Sequence, residues 1–500
     1  MERRLRVSSA LTAAANRGYT VALVVLVYHA TGSPTWVAAT AAGRYLAGLV
    51  AGALSGPIAT RCRPAAVLVW TDLSGTLALG GLAAAALTGA PVLLPVALGA
   101  LVRAIASLQA ASAAAMLIDV AVGCDIADAA ARQNAVDKLA LFGGPAVGGL
   151  LLLFMSPGVE LALLAGFLGV AGVLATGLGH DARFTVPRPA APPDAGALRV
   201  APRGLAVVFA LFSVASGLVY GTDTVVFAVL SHDRLNLGDA GYGVLFGALG
   251  VGGVAGSALL PLLTRTRHIA TVLALGLAAY CLPTAVLVMT TNAGVAVGVE
   301  VVRGAAALLV EMLAITGLQR TVLPRDIPAA ISATTAAIMG AVTLGAIATP
   351  IMLHSLGLTG TLLADGLAIP ALAVASAPFL LVVDRHVERR CAELAPRVDT
   401  LAGLRLFTAT SRPILERMAA ALTEVTVGPG VALVVEGDVA DAFWVLVEGE
   451  AEVTIASGAG ERRVNVLSDG DWFGEIGLLL GRPRTATVTT TRPSRLLRLA

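Results

Sequence analysis

The side chains with the most specific chemistry lie close together near the end of the chain. Gly474 has no Cβ, so its backbone can approach a ligand closely. Residues 475–480 can form one short helical turn, whose free N–H groups attract an anion. Arg484 supplies a fork of donors suited to a phosphate, Thr485 adds a hydroxyl, and Glu475 can accept from a sugar hydroxyl. Together these groups predict a pocket for a small phosphorylated sugar.

The stretch 473–488 closely resembles the phosphate-binding cassette of cyclic nucleotide-binding domains, the family of the bacterial catabolite activator protein and the kinase regulatory subunits. The resemblance covers roughly residues 401–500. It implies that a cyclic nucleotide, cyclic AMP or cyclic GMP, is bound, with Arg484 and Thr485 at the phosphate and Gly474 and Glu475 at the ribose. The residues implied at the ligand are Gly474, Glu475, Ile476, Gly477, Arg484, Thr485 and Ala486. The alternative is a β-roll turn that carries glycine, glutamate and arginine without binding.

Short apolar runs separated by turn residues precede this cassette and predict β-strands. The predicted strands lie near 431–435, 443–447, 452–455 and 463–467, after a helix near 411–423. Gly437, Gly449 and Gly470 stand where the β-roll of the family turns. The family's C-terminal helices, which act as lid and signal relay, are expected to be absent. Either the sequence is a fragment or the pocket is open.

The composition of the whole chain is that of a membrane protein. Of its 500 residues, 57% are hydrophobic and only 13% are charged, against about 25% charged in an ordinary soluble domain. Most of its surface must therefore contact lipid. No basic helix or basic run with interleaved aromatic residues indicates a nucleic-acid partner. The four cysteines are scattered, which predicts neither a metal site nor a disulfide framework.

About twelve apolar segments are long enough, at ~20 residues each, to cross a bilayer. They lie near 10–30, 35–59, 65–88, 92–119, 134–155, 158–179, 205–230, 241–263, 268–290, 293–318, 327–352 and 357–383. The first is interpreted as a retained span, because further apolar segments follow it directly. The predicted fold is multi-domain, an all-α polytopic membrane domain followed by a small, mostly-β cyclic nucleotide-binding roll.

The charges of the loops predict the orientation in the membrane. One set of loops carries Arg61, Arg63, Arg132, Lys138, Arg183, Arg188, Arg199, Arg203, Arg265, Arg267, Arg320 and Arg325. The alternate loops are short and carry only Arg234. Because positive loops stay inside, both termini are expected to be cytoplasmic, in a multi-pass protein of the inner (plasma) membrane. In the lipid the protein is expected to be a monomer.

The membrane domain, 1–385, repeats itself after close to 200 residues. Arg103 and Arg303 lie at similar depths in the fourth and tenth segments. The pattern predicts two halves of six segments, 1–180 and 204–385, joined by a proline-bearing cytoplasmic linker, 181–203. A second linker, 386–403, leads to the cyclic nucleotide-binding domain, 404–500.

Two glycine-rich motifs in this part resemble the major facilitator superfamily of transporters. The sequence 144–149, with Gly144, Pro145, Gly148 and Gly149, matches the Gly-Pro-x-x-Gly-Gly motif of its antiporter branch. The loop after the second segment, with Gly56, Arg61 and Arg63, resembles its cytoplasmic gating motif but has Thr60 where an aspartate is expected. The resemblance implies alternating access and efflux by antiport. The glycines are interpreted as close helix contacts that shape the gate.

Ionisable residues within the spans are the candidates for substrate binding and proton coupling, because such groups are costly in lipid. Glu300, Arg303 and Glu311 form one stripe on the tenth segment, and Glu300 can pair with Arg303 at i, i+3. The alternative for this pair is a structural contact between two helices. Glu311 is interpreted as a charge at the edge of a loop.

The other candidates for the cavity lie on earlier segments. Arg103 is the repeat-mate of Arg303, and its alternative role is a structural pair with Asp72. Asp223 is a candidate proton carrier, and Asp72 is a further candidate. Arg44 is expected only to pair with a neighbouring helix.

These features favour a secondary active transporter, a proton-coupled exporter of a small molecule, regulated by a cytoplasmic cyclic nucleotide. The chain has no Ser-His-Asp setting, no P-loop and no H-E-x-x-H, so no enzyme is predicted. Two alternatives remain open. One is a membrane-anchored nucleotide receptor that does not transport, and the other is a transporter with a vestigial sensor.

Overall fold

The computed structural model describes long apolar helices followed by a small β domain. The described residues are 2–120, 144–145, 147–176, 203–263, 266, 268–322, 327–375, 377–404, 407, 410, 412–457, 460–480 and 483–499. Most of the predicted linker 181–203 and residues 134–143 of the fifth segment lie outside them. So do several of the loop charges used for the orientation, namely Arg132, Lys138, Arg183, Arg188, Arg199, Arg265, Arg267 and Arg325.

The helices of the first half are closely spaced, and short turns join those whose connections are described. They are α1 (Glu2–Thr31), α2 (Pro34–Arg61), α3 (Pro64–Leu87), α4 (Leu93–Val120), α5 (147–151) and α6 (Pro157–Thr176). Pro34 and Pro64 stand at the first positions of α2 and α3. Their fixed φ suits a helix start, and the missing N–H is not needed there.

The second half contains further long helices. They are α7 (Arg203–Asp233), α8 (Gly238–Ser257), the short α9 (Leu260–Leu263), α10 (Ile269–Cys281) with a 3₁₀ turn (Leu282–Val288), α11 (Ala293–Thr321) and α12 (Ile327–Ala375). Among the residues that the structure describes, nine helical segments are long and apolar enough to cross a membrane. The predicted polytopic helical domain is therefore confirmed.

Helix α12 consists of two spans joined by a break at Gly357. Its 49 residues would measure about 74 Å as one straight helix, more than twice the ~30 Å of a hydrocarbon core. Gly357 has φ 67° and ψ 178°, values that a residue with a Cβ rarely adopts. The break separates the eleventh and twelfth predicted segments.

The C-terminal domain is a roll of two antiparallel four-stranded sheets. Its strands are β1 (Thr423–Val427), β2 (Ala432–Val434), β3 (Phe443–Glu448), β4 (Ala451–Ser457), β5 (Gly460–Leu467), β6 (Trp472–Phe473), β7 (Thr487–Thr490) and β8 (Ser494–Leu499). The sheet orders are β1-β8-β3-β6 and β2-β7-β4-β5. Leu446, Phe473 and Val488 are among the buried residues between them. The predicted β-roll is thus confirmed.

A single helix, α13 (Ala377–Gly403), leads from the membrane domain to the roll. The predicted linker 386–403 is helical and forms its second part. Asp384 of α13 is 2% exposed and accepts hydrogen bonds from the backbone N–H groups of Ala270 (2.7 Å) and Thr271 (3.0 Å). Asp384 therefore caps the N-terminus of α10 from another helix. At its other end, α13 packs Val398 and Leu401 against the roll. A short helix, α14 (Arg412–Ala421), precedes β1 where the sequence predicts a helix.

Candidate functional sites

The first site lies in the roll, where the chain turns from β6 into α15 (Glu475–Leu480). Gly474 forms the turn with φ +89°, and a Cβ at this position would lie 2.6 Å from Nη1 of Arg484. Both its conformation and the space around it therefore require glycine. The backbone at Gly474 is in direct contact with the arginine that the sequence assigns to the phosphate.

Arg484 is buried, with 5% of its surface exposed. Its Nη1 donates to the carbonyl oxygen of Gly474 at 2.8 Å. Its Nη2 donates to Oδ1 of Asp441 at 2.9 Å and to the carbonyl oxygen of Ala442 at 2.7 Å. A guanidinium has five N–H donors, so the three bonds leave two N–H groups for a ligand. These contacts with the protein hold the guanidinium in position.

The other predicted nucleotide residues surround Gly474 and Arg484 along the chain. Glu475 and Ala486 are half-buried, and Gly477 is buried. Ile476 is 48% exposed, and Thr485 is also exposed. Thr485 therefore presents its side chain to solvent beside the buried Arg484. The structure thus brings the backbone of Gly474 to Arg484 and leaves neighbouring polar groups accessible.

Asp441 is a residue of this site that the sequence patterns did not reveal. It receives hydrogen bonds from Arg484 and from Nη2 of Arg498, the latter at 2.7 Å. The Arg484 hydrogen bond is the main reason that the pKa of the Asp441 carboxyl is lowered, and Arg498 adds to it. Asp441 comes 43 residues before Arg484, and only the pairing of β3 with its neighbours brings it there.

We expect the Asp441→Asn variant to lose part of the acid sensitivity of the roll. A carboxyl with a lowered pKa contributes stability above its unfolded pKa of ~3.9 and loses that contribution as the pH falls through the lowered value. The melting temperature of D441N should therefore be slightly lower than that of wild type at pH 7. The two should converge only below the lowered folded pKa of Asp441, where this carboxyl is protonated. A constant difference at all pH values would contradict this account.

The second site is a buried ion cluster between α7, α10 and α11. Nη1 of Arg303 donates to both carboxylate oxygens of Glu300 at 2.8 and 2.9 Å. Nη2 donates to both oxygens of Asp223 at 2.8 and 2.9 Å. The hydroxyl of Tyr280 donates to Asp223 at 2.9 Å. The predicted Glu300–Arg303 pair is confirmed, and Asp223 is its third member.

This cluster has no exposure to the cavity or to lipid. Glu300 and Arg303 are 0% exposed, and Asp223 is 1% exposed. One guanidinium faces two carboxylates, so the cluster carries one negative charge unless it takes up a proton. Nε of Arg303 also donates to the carbonyl oxygen of Tyr280 at 3.0 Å. The cluster therefore connects three helices of the second half and is a candidate for proton uptake.

The third site is a cavity of about 220 Å³ between the two halves. Its polar and aromatic lining includes Asn16, Arg17, Thr20, Arg44, Tyr45, Arg103, Tyr220, Tyr242, Phe246, Tyr280 and Glu311. Of the residues predicted for the cavity, Arg103 lines it. Asp223, Glu300 and Arg303 lie behind its wall, and Tyr280 connects the cavity to their cluster.

Asp72 and Glu311 lie in positions other than those that the sequence indicated. Asp72 is not among the described residues that line the cavity, whereas Glu311 is. Asp72 accepts hydrogen bonds from Thr12 (3.1 Å) and Gln109 (2.9 Å). Glu311 lines the cavity, so its interpretation as a charge at a loop edge is wrong. Glu311 follows Arg303 by eight residues on the same helix, and this spacing keeps both groups on one side.

The sequence patterns did not place Arg44 at the cavity and did not single out Glu160. Arg44 lines the cavity, although only a helix contact was expected of it. Glu160 is 0% exposed, and neither carboxylate oxygen has a hydrogen-bond partner among the described residues. Its position within the sixth apolar segment was the available signal, because a carboxyl group inside a span is costly. A Cβ on Gly148 would lie 2.9 Å from Glu160.

The predicted gating glycines differ in how closely they pack. A Cβ on Gly149 would lie 2.3 Å from Cα of Gly243, across the two halves. A Cβ on Gly144 would lie 2.5 Å from Cβ of Arg17, whereas Gly56 has nothing within 4 Å. Pro145 lines the cavity. Arg61 and Arg63 are exposed at the turn between α2 and α3.

Comparisons with known proteins match the two parts of the chain separately. Residues 424–500 match the family described as cyclic nucleotide-binding domain. A cAMP-dependent protein kinase regulatory subunit of Yarrowia lipolytica is 48% identical over 73 residues, 15% of this chain and 19% of that protein. A cGMP-dependent protein kinase of Toxoplasma gondii is 36% identical over 113 residues, 21% of this chain and 11% of that protein. The chain spans less than a fifth of the length of both relatives.

The membrane part is similar in fold to a solved transporter. The crystal structure of a mutant of the nucleoside transporter NupG matches with a TM-score of 0.62 and 14% sequence identity. The match covers 76% of this chain and 98% of that one. The chain therefore combines a helical domain similar in fold to this transporter with a C-terminal region that matches the cyclic nucleotide-binding domain family.

Proposed function

We propose that the chain is a secondary active transporter whose activity is regulated by a cyclic nucleotide bound to the roll. The observation that supports transport best is the cavity between two halves of a transporter fold, which three arginines line. Alternating access would move one half against the other and open this cavity to each side in turn. We further propose efflux of a small molecule by proton antiport, in the inner membrane with both termini in the cytoplasm.

The nucleotide site is supported by the hydrogen bonds that position Arg484. A cyclic phosphate would accept from the two unused N–H groups of this arginine, and the ribose would lie at Gly474 and Glu475. Titration of the full-length protein in nanodiscs with cyclic AMP and cyclic GMP tests the site and its preference. Absence of binding of both nucleotides to folded protein would favour a vestigial sensor. Binding without any transport would favour a membrane-anchored receptor.

Regulation requires that the roll and the membrane helices influence each other. Helix α13 is continuous between them and is hydrogen-bonded to α10 through Asp384. Helix α10 also supplies Tyr280, which contacts the ion cluster and the cavity. A nucleotide that changes the position of α13 would thereby bias the two transport states, if it binds them with different affinity.

The Asp384→Ala variant should weaken the response of transport to the nucleotide. The substitution removes two hydrogen bonds that cap the N-terminus of α10, a loss that costs about 1 kcal/mol in comparable helix ends. It also removes this hydrogen-bonded contact between α13 and α10. We expect unchanged nucleotide affinity and a transport rate that no longer depends on the nucleotide. The matched control is Asp399→Ala, an exposed acid on α13. If D384A responds as wild type does, the signal takes another route.

The Gly149→Ala variant tests whether the two halves close against each other at the α5–α8 contact. The added Cβ would overlap Gly243, so the halves must separate at this end. We expect reduced transport and a longer distance between spin labels at H29C and D233C, in a background without native cysteines. Gly166→Ala is the control, since nothing lies within 4 Å of that position. An unchanged label distance would show that closure does not depend on this contact.

The membrane orientation is tested with reporter tags. Tags placed after Asp384 and within residues 181–203 should both report the cytoplasmic side. Tags on opposite sides of the membrane would exclude a cytoplasmic nucleotide site combined with this arrangement of helices.

A further inference from the structure

The wall that the first half contributes to the cavity contains three arginines. Arg17 lies on α1, Arg44 on α2 and Arg103 on α4, and all line the same space. Arg17 and Arg44 are both close enough to Arg103 to repel its charge. Like charges at short range in a medium of low polarity are strongly unfavourable. Such an arrangement needs an opposite charge from elsewhere.

Arg44 is the best-defined member of this group. It is 5% exposed. Its Nε donates to the hydroxyl of Tyr19 at 3.1 Å and its Nη2 to the hydroxyl of Thr20 at 2.6 Å. Nη1 has no hydrogen-bond partner among the described residues. Both partners of Arg44 are neutral, so this buried guanidinium has a free donor and an uncompensated charge beside the cavity.

The opposite wall contributes one acid and several aromatic rings. Glu311 is the one acidic side chain among the described residues that line the cavity. Three arginines against one glutamate leave an excess of two positive charges. Tyr220, Tyr242 and Phe246 form an aromatic wall, with ring centroids of Tyr242 and Phe246 5.0 Å apart. Such rings favour a flat, apolar body, while guanidinium groups favour carboxylates or phosphates.

We propose that the cavity binds a small organic anion, with its negative groups on Arg44 and Arg103 and an aromatic body against Tyr220, Tyr242 and Phe246. The proposal rests on the proposed transport function, because it names the class of compound that is transported. The volume of about 220 Å³ is below the ~300–1,000 Å³ of most drug-binding pockets. One or two fused rings are therefore the expected size.

The test compares three probes with the same aromatic body and different charges. Naphthalene-2,6-dicarboxylate, its neutral dimethyl ester and 2,6-bis(aminomethyl)naphthalene are added to the full-length protein in nanodiscs. Binding is measured by fluorescence titration and by thermal stabilisation. We expect the dicarboxylate to bind best and to lose affinity as the salt concentration rises. Arg44→Gln and Arg103→Gln should each weaken its binding about tenfold, by the loss of one charge-assisted hydrogen bond.

Three controls keep the result unambiguous. Arg389→Gln removes an exposed arginine on α13 and should leave binding unchanged. Arg44→Lys keeps the charge without the fork and should bind more tightly than R44Q. Every variant must still bind a cyclic nucleotide or, if wild type does not, elute from size exclusion as wild type does, which shows that it is folded.

The outcomes separate this proposal from the proposed transport function. Tighter binding of the ester or the diamine, full affinity in R44Q and R103Q, or no binding of the dicarboxylate would each overturn the anion site. Binding of the dicarboxylate without its counterflow in proteoliposomes would support the site and reject transport of this probe. Counterflow of neutral or cationic compounds alone would support transport and overturn the anion site.

Discussion

Replacement of Arg303 by methionine is expected to destabilise the membrane domain strongly. Arg303 donates to Glu300, to Asp223 and to the carbonyl oxygen of Tyr280, and it is fully buried. Its removal leaves two carboxylates without a counter-charge in the protein interior. The loss of one partner from a buried ion pair costs about 3–5 kcal/mol. The melting temperature in detergent and the yield of monodisperse protein measure this effect.

The matched control removes all the charges of the cluster together. In the triple variant D223N/E300Q/R303M the two carboxylates that contact Arg303 are neutralised together with its removal, so much of the lost stability should return. If the cluster also takes up the coupling proton, this variant should be folded but should not couple transport to a pH gradient. Recovery of stability with loss of coupling supports both roles. Recovery of stability with intact coupling restricts the cluster to a structural role, and equal stability of R303M and wild type would contradict the argument.

The second large effect is expected at the nucleotide site. Arg484→Ala removes the guanidinium that Gly474, Ala442 and Asp441 hold in place. If its two free N–H groups bind the phosphate, their loss costs about 1.5 kcal/mol each, or about 100-fold in affinity. Isothermal titration of the full-length protein with cyclic AMP, repeated with cyclic GMP, measures the change.

Two variants distinguish recognition from a general loss of structure. Arg484→Lys keeps a positive charge but cannot reproduce the planar fork, so an intermediate affinity is expected. Arg462→Ala removes an exposed arginine from β5 and should bind as wild type does. A normal affinity in folded R484A would show that the phosphate is bound elsewhere or not at all.

Arg303 and Arg484 are held in position by different kinds of partner. Arg303 has both faces of its fork occupied by carboxylates of its own chain, which leaves no obvious place for a substrate group. Arg484 is bound mainly by carbonyl oxygens and by one exposed carboxylate, since Asp441 is 60% exposed. A ligand phosphate can therefore approach Arg484 without breaking a buried ion pair. Two buried arginines of one chain can thus have different functions.

The contact between Gly474 and Arg484 in the proposed nucleotide site could be predicted because the two residues are close in sequence. Gly474 and Arg484 are ten residues apart and in direct contact. The positive φ of Gly474 requires glycine at the turn, so this residue and its distance from Arg484 can be recognised in the sequence. Asp441 left no such signal, because its contact with Arg484 depends on the packing of distant strands.

The membrane cavity could be predicted less well, because the residues that meet there are distant in the sequence. Helical periodicity places Glu300 and Arg303 next to each other, but it does not show which helix faces them. The side chain of Asp223 reaches Arg303 across 80 residues of sequence. The convergence of Arg17, Arg44 and Arg103 on one cavity depends equally on how three helices are rotated and packed.

The sequence by itself determined that the chain is a helical membrane protein with a C-terminal β-roll, because hydrophobicity, glycine positions and short-range motifs are properties of neighbouring residues. The tertiary structure alone decided which charges neutralise one another and which remain available in the cavity. Electrostatic pairing depends on distances between side chains on different helices, and these distances are set only when the helices pack.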